Sequence, residues 1–499
     1  MITINIGSRR EVLWDDYLVQ EATAVLTQNK PVYKGVVLKA DAPWEGRSSF
    51  FPVVVFDSGL YHMYYRGLDT IFVPGTEHGA KQFARGYACC AESRDGIHWN
   101  KPSLGIFDYN GSTDNNIIYS GLAKGTWNDI WIDSLFVFKD INPACALDAK
   151  YKALFGHWAA RKLLYLKSAD GLHFEEVCPI SEDGAYDSMN TAFWDNNTGQ
   201  YFCYIRGLHD EKGRNVVMGA EPREGEVLWT ADGVHIRDIR VMTSKDFDHW
   251  TPSKEISYTP GTAEYHMYTN NIQPYYRADH MFLGLPTRFF DRGEWSSSFE
   301  ALPDPESRKE RQKIYGKCAT ALTDCVLMTS RDGYLFNRWD DEAFLTAGPE
   351  RPNSWVYGDA YPGYGMAETK SDRSGAPNEL SMYLPVNYWA APVEIERHTI
   401  RVDGFFSYNA PIKGGYLLTK PIIYEGNSLS INFATSALGE IAVSLIDGNG
   451  EKHQATPVFG DSLDRRLDFK GFDIGSLSGK MVKLLFELRD ARLYSFKFS

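Results

Sequence analysis

Apolar and polar positions along the chain fall into short runs of strand length, and the runs recur in a fixed order. Phe50 to Phe56, Tyr61 to Arg66 and Ala84 to Ser93 form one group of three. Ser134 to Phe138, Tyr151 to His157 and Lys162 to Ser168 form the next. Thr191 to Trp194, Tyr201 to Arg206 and Ile236 to Ser244 follow, then Asn271 to Tyr276, His280 to Arg288 and Cys325 to Ser330. Gly365 to Lys370, Glu379 to Asn387 and Ile395 to Arg401 close the series. Runs of this length bounded by turn residues predict strands rather than helices.

Each group ends on the same turn. Ser93-Arg94-Asp95-Gly96-Ile97-His98-Trp99 returns as Ser168-Ala169-Asp170-Gly171-Leu172-His173-Phe174, Ser244-Lys245-Asp246-Phe247-Asp248-His249-Trp250 and Ser330-Arg331-Asp332-Gly333-Tyr334-Leu335-Phe336. A weaker fifth copy is Arg401-Val402-Asp403-Gly404-Phe405-Phe406-Ser407. Successive copies start roughly 71 to 86 residues apart, a period that suggests radially repeated sheets rather than a solenoid. The Asp carboxylate can accept backbone amides, Gly takes a positive φ without strain, and the aromatic that follows opens a fourth, outer strand. Five units of four strands predict an all-β fold, a five-bladed β-propeller over residues 1–410.

The N-terminal stretch from residue 1 to ~40, with the run Val12 to Val19, precedes the first full unit and is expected to give the last unit a strand, closing the ring and removing its free edges. Asp15 and Asp16 in that run read as turn or edge residues, with catalysis as the alternative. Leu68 to Arg85 is an aperiodic loop, and Pro303 to Lys313 is a short charged helix inserted in the fourth unit. After Ser407 the texture changes to strands at Tyr416 to Ile423, Leu429 to Phe433, Ile441 to Ile446 and Val482 to Leu488, with an Asp447-Gly448-Asn449-Gly450 hairpin turn. These predict a C-terminal β-sandwich over 411–499.

Composition narrows the function. A chain of 499 residues can bury a large core, and 14% aromatics with 43 Gly and 23 Pro fit many strands joined by tight turns. A net charge of −13 argues against nucleic acid as a partner. No apolar segment approaches the ~20 residues of a membrane helix. The first ten residues alternate like a strand and lack the pattern of a signal peptide, so a cytoplasmic location is expected. Seven cysteines scattered mostly through strands read as reduced thiols. Neither Cys-x-x-Cys nor His-Glu-x-x-His is present, so neither a metal nor another cofactor is expected. Oligomeric state is left open.

In a propeller the first strand of each unit starts, and the second ends, at one face near the axis. Glu45, Arg47, Asp133, Asp187, Glu264 and Asp359 lie before or at the first strands; Arg66, His157, Arg206, Arg288 and Asn387 end the second ones. Carboxylates and cations fill nearly every slot, which suits glycoside hydrolysis. One acid must give its proton to the leaving oxygen, while an ionised partner activates water or attacks carbon. Asp187 beside Arg206, with Glu264 in the next unit, could divide those parts. Trp44, Trp127, Trp131, Tyr186, Tyr265, Trp355 and Tyr361 offer faces for sugar rings, with core packing the alternative for each.

The Ser-x-Asp-(Gly)-x-His-Trp turns, Leu13-Trp14-Asp15-Asp16-Tyr17-Leu18, Tyr186-Asp187-Ser188-Met189-Asn190-Thr191-Ala192-Phe193-Trp194-Asp195 and Leu488 to Phe496 carry a resemblance. With the expected layout, they resemble the furanosidase-type glycoside hydrolases of families 43 and 32, above all the bacterial family 32-like and family 43-like proteins. The resemblance implies an Asp in the first blade, an Asp in the third that fixes the sugar, and a Glu acid in the fourth. By position Asp187 matches the third-blade Asp and Glu264 the acid. The first inner strand departs from the pattern, since Arg47-Ser48-Ser49-Phe50-Phe51-Pro52 carries no Asp. Glu45, Asp133 or Asp16 would then be the base.

The expected function is therefore a glycosidase acting on a small or oligomeric carbohydrate. Asp187, Glu264, Asp133 and Glu45 are the catalytic candidates, and Arg66, His157, Arg206, Arg288, Asn387 and Asp359 the substrate-binding ones. The alternatives are an enzyme whose arginines clamp an acidic sugar, and a non-catalytic propeller that binds glycan.

Overall fold

The computed structural model describes residues 3–72, 81–83, 86–120, 134–157, 161–217, 221–230, 233–314, 317–389 and 392–499. Nearly all the regular structure is strand, with short helices at Ser297–Ala301, Pro305–Ile314 and Lys317–Thr320. No helix among the described residues is long and apolar enough to cross a membrane.

Five antiparallel sheets follow one another along the chain. Sheet one orders Phe50–Asp57, Leu60–Gly67, Tyr87–Ser93 and Ile117–Tyr119. Sheet two orders Leu135–Lys139, Tyr151–His157, Lys162–Ser168 and Glu175–Ser181, and sheet three Thr191–Asp195, Gln200–His209, Ile236–Ser244 and Lys254–Glu255. Sheet four runs from Gln273–Tyr275 through Ala278–Gly284 and Leu327–Ser330 to Leu335–Trp339, with Ser257–Tyr258 added in parallel. Sheet five holds Ala367–Thr369, Glu379–Val386 and Glu394–Arg401, and its fourth strand is Val32–Lys39 from near the N-terminus. That strand covers the edge that the last sheet would otherwise leave open.

The run expected over His280 to Arg288 is two strands, because Pro286 has no amide hydrogen to continue the ladder. Ala278–Gly284 stays in sheet four, while Thr287–Asp291 pairs with His266–Met267 and Ala321–Cys325 in a separate three-stranded sheet. The stretch expected as the aperiodic loop Leu68 to Arg85 contains a short strand pair, Thr70–Phe72 with Lys81–Phe83.

The repeated turn has one geometry in four copies. In the first, Ser93 Oγ accepts the amide of Gly96 at 2.9 Å, Asp95 Oδ1 accepts those of Ile97 and His98 at 2.9 and 2.8 Å, and Oδ2 meets His98 Nδ1 at 2.7 Å. Ser168/Asp170, Ser244/Asp246 and Ser330/Asp332 bind their own amides in the same way. The residue after the Asp takes a left-handed φ each time: 69° at Gly96, 80° at Gly171, 78° at Gly333, and 71° at Phe247.

These turns join each sheet to the one before it. A Cβ on Gly171 would stand 2.7 Å from Tyr64 Oη of sheet one, and one on Gly333 2.7 Å from Tyr204 Oη of sheet three. Phe247 packs on Phe138 and Tyr165 of sheet two. Tyr275 of sheet four donates its hydroxyl to Asp403 at 2.7 Å, in the weak fifth copy. Gly96 of sheet one accepts from Tyr383 of sheet five at 2.6 Å. Only a residue without Cβ, or one that sends its ring into the preceding sheet, fits at this position.

The remaining strands form a further sheet whose spine is two antiparallel 18-residue strands, Leu429–Ile446 and Met481–Phe498. Phe433, Leu445, Leu484, Phe486 and Phe496 are wholly buried between its faces. Residues 4–28 belong here rather than with the five units, correcting the expected division at 410: Ile4–Gly7 pairs with Ile422–Tyr424, Arg10–Val12 with Met481–Phe498, and Val25–Gln28 with Phe406–Ala410. Asp15 is bound bidentately by Arg331 at 2.7 and 3.0 Å, which makes it a structural ion-pair partner.

Candidate functional site

Antiparallel register decides which side chains share an end of sheet three. Arg206 pairs with Ile239, Leu208 with Arg237 and His209 with Ile236, so the end of the second strand and the start of the third lie together. The loop before Thr191–Asp195 folds back onto the same end, since Arg206 donates Nε to Ala185 O at 2.9 Å.

Asp187 stands on this loop. Its Oδ1 forms an ion pair with Arg206 Nη1; the arginine side chain is 3% exposed and the aspartate 30%. Burial, the largest single influence, works against the Arg206 charge, but Asp187, Tyr268 and Tyr357 together raise the guanidinium pKa. The same guanidinium lies 5.5 Å from the ring centre of Tyr268. Tyr268 in turn accepts the hydroxyl of Tyr357 at 2.7 Å and packs edge-on against Tyr361. The pair Asp187–Arg206 thus sits against a tyrosine wall supplied from beyond sheet three.

Glu264 lies just before His266–Met267 and is the most open carboxylate of the group, with 65% of its side chain exposed. His209 Nε2 meets its Oε1 at 3.2 Å, and His209 Nδ1 meets the buried Asp238 Oδ2 at 2.9 Å. Asp238 is held on its other side by Arg240 at 2.8 and 3.0 Å. The Asp238 hydrogen bond pushes the His209 pKa up to about 9, so the imidazole carries its proton at neutral pH and faces a carboxylate through each nitrogen. A cavity of about 180 Å³ opens between His209, Arg237, Glu255, Glu264, Tyr265 and Arg338. Arg237 spans the two groups, its guanidinium 4.8 Å from the Tyr268 ring and 4.9 Å from that of Phe289.

The other expected residues are placed differently. Glu45 is enclosed, its side chain 0% exposed, with Oε1 accepting Tyr65 Oη at 2.5 Å and Oε2 accepting Ala42 N at 2.9 Å and Lys101 Nζ at 2.6 Å. A carboxylate spent in this way cannot activate water. Asp133 lies outside the described residues, as do Trp127 and Trp131. Arg66 is buried, donating Nε to Ser48 O at 2.9 Å over the Phe51 ring. His157 is buried too, and burial draws its pKa down.

Arg288 is bound bidentately by Asp324 at 2.9 and 2.8 Å, beside Tyr265. Asn387 is half-buried with a left-handed φ of 65°. Asp359 is buried in the loop 354–361, where it accepts the Val356 amide at 3.0 Å, and burial pushes its pKa up to about 6. Its surroundings are not those of Asp187: Asp359 lines a groove of about 840 Å³ with Arg351, Glu396 and His398.

Of the ten candidates, Asp187 pairs with Arg206 and Glu264 meets His209, both through the end of the second strand of sheet three, while Arg288 lies beside Tyr265. Arg237, Asp238, His209 and Tyr268 were not among them. Among the described residues, two groups of side chains have the composition to hold a cation: His209, Asp238 and Glu255 offer one ligand atom each within 4.8 Å of one another, as do Asp447, Glu451 and His453.

No family model and no curated protein matches this sequence. Among solved structures, a thermostable family-43 glycoside hydrolase is 13% identical, with 73% of this chain and 94% of that one covered at a TM-score of 0.40. A fructofuranosidase from Schwanniomyces occidentalis complexed with fructosylnystose is 10% identical, over 94% and 96% of the two chains at 0.41. An N-acetylgalactosamine deacetylase from F. plautii, in complex with blood group B trisaccharide, is 11% identical over 80% and 96% at 0.38. Likeness at this level decides neither fold nor activity for the chain.

Proposed function

We propose that this chain is a glycoside hydrolase built on a five-bladed β-propeller, residues 29–410, with a β-sandwich formed by 411–499 and the N-terminal strands. Five sheets, each touching the one before it through a repeated turn and the first touching the fifth, support the propeller reading. A five-unit ring brings the ends of its second strands towards one central depression.

The observation that carries the functional reading is the pairing of two partly exposed carboxylates with cations at one end of sheet three. Asp187 is seated on Arg206 and Glu264 on His209. Glycoside hydrolysis needs a carboxylate that meets the sugar in its charged form and a second group that delivers a proton to the leaving oxygen. Asp187, the ion-pair partner, takes the first part. Glu264 takes the second part as a relay: ionised beside the imidazolium of His209, it receives a proton from His209 Nε2 at its Oε1 and passes it to the leaving oxygen, which leaves His209 neutral. Tyr268, Tyr357 and Tyr361 are buried behind Arg206 and hold its guanidinium in position.

The test is a panel of aryl glycosides and oligosaccharides assayed with the parent protein, Glu264→Gln and Asp187→Asn. Both variants are expected to lose about 100-fold or more in turnover while keeping the parent melting temperature within a few degrees. Aryl glycosides with good leaving groups should recover part of the Glu264→Gln loss, because they need no proton. Undiminished turnover in either variant removes that residue from the reaction, and a parent protein inert on the whole panel removes the reading itself.

A further inference from the structure

The C-terminal sheet carries a pocket of its own, where one of its strand pairs comes apart. Ser430 pairs with Arg466, and the Leu467 amide donates to Leu429 O at 2.9 Å. Beyond that bond the two chains part. Asp468 O accepts the Thr456 amide at 2.8 Å, while the amides of Asn427 and Ser428 donate to Ser499 O at 2.8 and 3.0 Å. A pocket of about 430 Å³ is lined from both chains, a size within the ~300–1,000 Å³ of small-ligand sites.

Its lining divides into an apolar floor and a polar rim. Leu467, Phe469 and Ile474 are buried and belong to the core of the sheet. Asn427, Arg466, Asp468 and Asp473 are exposed, so a ligand in the pocket can reach them. The backbone that carries the rim is ordered. Phe472 N donates to Phe469 O at 2.9 Å, and the Phe472 ring stacks on His453 with centroids 3.6 Å apart. Asp473 caps the short turn Ile474–Leu477 through one oxygen, Oδ1, which accepts the Gly475 amide at 2.9 Å. The side chains of Asn427, Arg466 and Asp468 make no hydrogen bond and no ion pair among the described residues. A guanidinium and two carboxylates thus share one pocket without pairing, and each keeps hydrogen-bonding capacity for a ligand on a scaffold already ordered.

The charge pattern selects that ligand. An anion would meet Asp468 and Asp473, and a cation would meet Arg466. A neutral sugar avoids both conflicts. Its hydroxyls donate to the carboxylates and accept from the guanidinium and the Asn427 amide, while the C–H groups of its ring cover the apolar floor. We infer that this pocket is a carbohydrate-binding site that holds a neutral mono- or disaccharide unit through Arg466, Asp468 and Asp473. It shares no residue with the site at the end of sheet three, so the inference does not rest on the hydrolase reading.

Calorimetric titration of the full chain with D-glucose, D-galactose, D-mannose, D-xylose, D-fructose, cellobiose and lactose tests it. At least one of these is expected to bind the parent protein, and Arg466→Ala and Asp468→Ala are each expected to weaken that binding about ten-fold or more. Both residues are exposed, so both variants should keep the parent melting temperature. Glu264→Gln should bind the same sugar as the parent does. No binding by any sugar of the panel, or parent-like affinity in either Arg466→Ala or Asp468→Ala, overturns the inference. Binding lost in Glu264→Gln overturns it as well, since the sugar would then sit at sheet three. Tighter binding of D-glucuronate, D-galacturonate or D-glucosamine than of every neutral sugar, with the same dependence on Asp468, overturns the neutral assignment. Sugar binding that needs Arg466 and Asp468 in a protein inert on the glycoside panel would leave this site standing and sink the hydrolase reading alone.

Discussion

Tyr383 donates its hydroxyl to the carbonyl of Gly96 at 2.6 Å, across 287 residues of sequence. Tyr383 belongs to the fifth sheet and Gly96 to the turn of the first, so this bond joins the ends of the series. Its loss leaves a buried carbonyl without a partner. Tyr383→Phe is therefore expected to lower unfolding stability by about 1–3 kcal/mol, read from the denaturant midpoint at unchanged slope. A variant as stable as the parent would show that the junction is held by packing alone.

The third turn carries Phe247 where the other three carry glycine, at the same left-handed φ of 71°. A left-handed conformation costs a residue with a Cβ about 1–2 kcal/mol. The ring is wholly buried against Phe138, Tyr165, Tyr201 and Trp250, and large-to-small changes of that kind cost about 3–5 kcal/mol. Packing wins. Phe247→Gly, although it restores the residue used in the other copies, is expected to destabilise by about 2–3 kcal/mol in equilibrium unfolding. A gain in melting temperature would reverse that ranking.

Glu45 and Lys101 give a third expectation. Lys101 meets Asp41 as well as Glu45, but only Glu45 is fully enclosed. Lys101→Met strands a buried carboxylate and is expected to cost about 3–5 kcal/mol, whereas Glu45→Gln with Lys101→Met should cost less than Lys101→Met alone. Turnover by Glu45→Gln, measured beside Glu264→Gln, separates support from chemistry. An equal loss of activity in the two would return Glu45 to the site.

What could be read from the sequence follows from local rules. Ser-x-Asp turns and strand-length runs are set by short-range chemistry, and Ser93, Ser168, Ser244 and Ser330 each bind the amide three residues on in the structure. Asp187 and Arg206 were found by asking where first strands begin and second strands end. That rule does not reach Arg237 and Asp238, which open an antiparallel third strand beside the end of the second. His209 was missed because the second strand runs on three residues past Arg206. Glu45 satisfied the rule by position, but nothing local to it announced Lys101, 56 residues away. Within the N-terminal stretch, Val32–Lys39 takes the edge of the fifth sheet, but the strands before it pair elsewhere for the same reason: Ile4 alternates equally well beside any edge, and only tertiary contact with Ile422 selects one.

Asp359 supplies a prediction with a defined sign. Its carboxyl is buried and its pKa is raised to about 6 from 3.8, with burial the leading cause and the Val356 amide working the other way. A group whose folded pKa lies above its unfolded value binds its proton more tightly in the native state, so folding is weakened as pH rises through the interval between the two. The cost is absent below pH 3.8, grows up to about 6, and is complete above that, on the order of 3 kcal/mol at full extent. Asn has nearly the same shape, accepts the same amide and does not titrate. The difference in stability between Asp359→Asn and the parent should therefore move in favour of the variant from pH 4 to pH 7 and then level off. Urea unfolding at half-unit steps would trace it. A difference that is flat across that range would mean that water or a cation reaches the carboxylate through the Arg351–Glu396–His398 groove and keeps it charged without penalty.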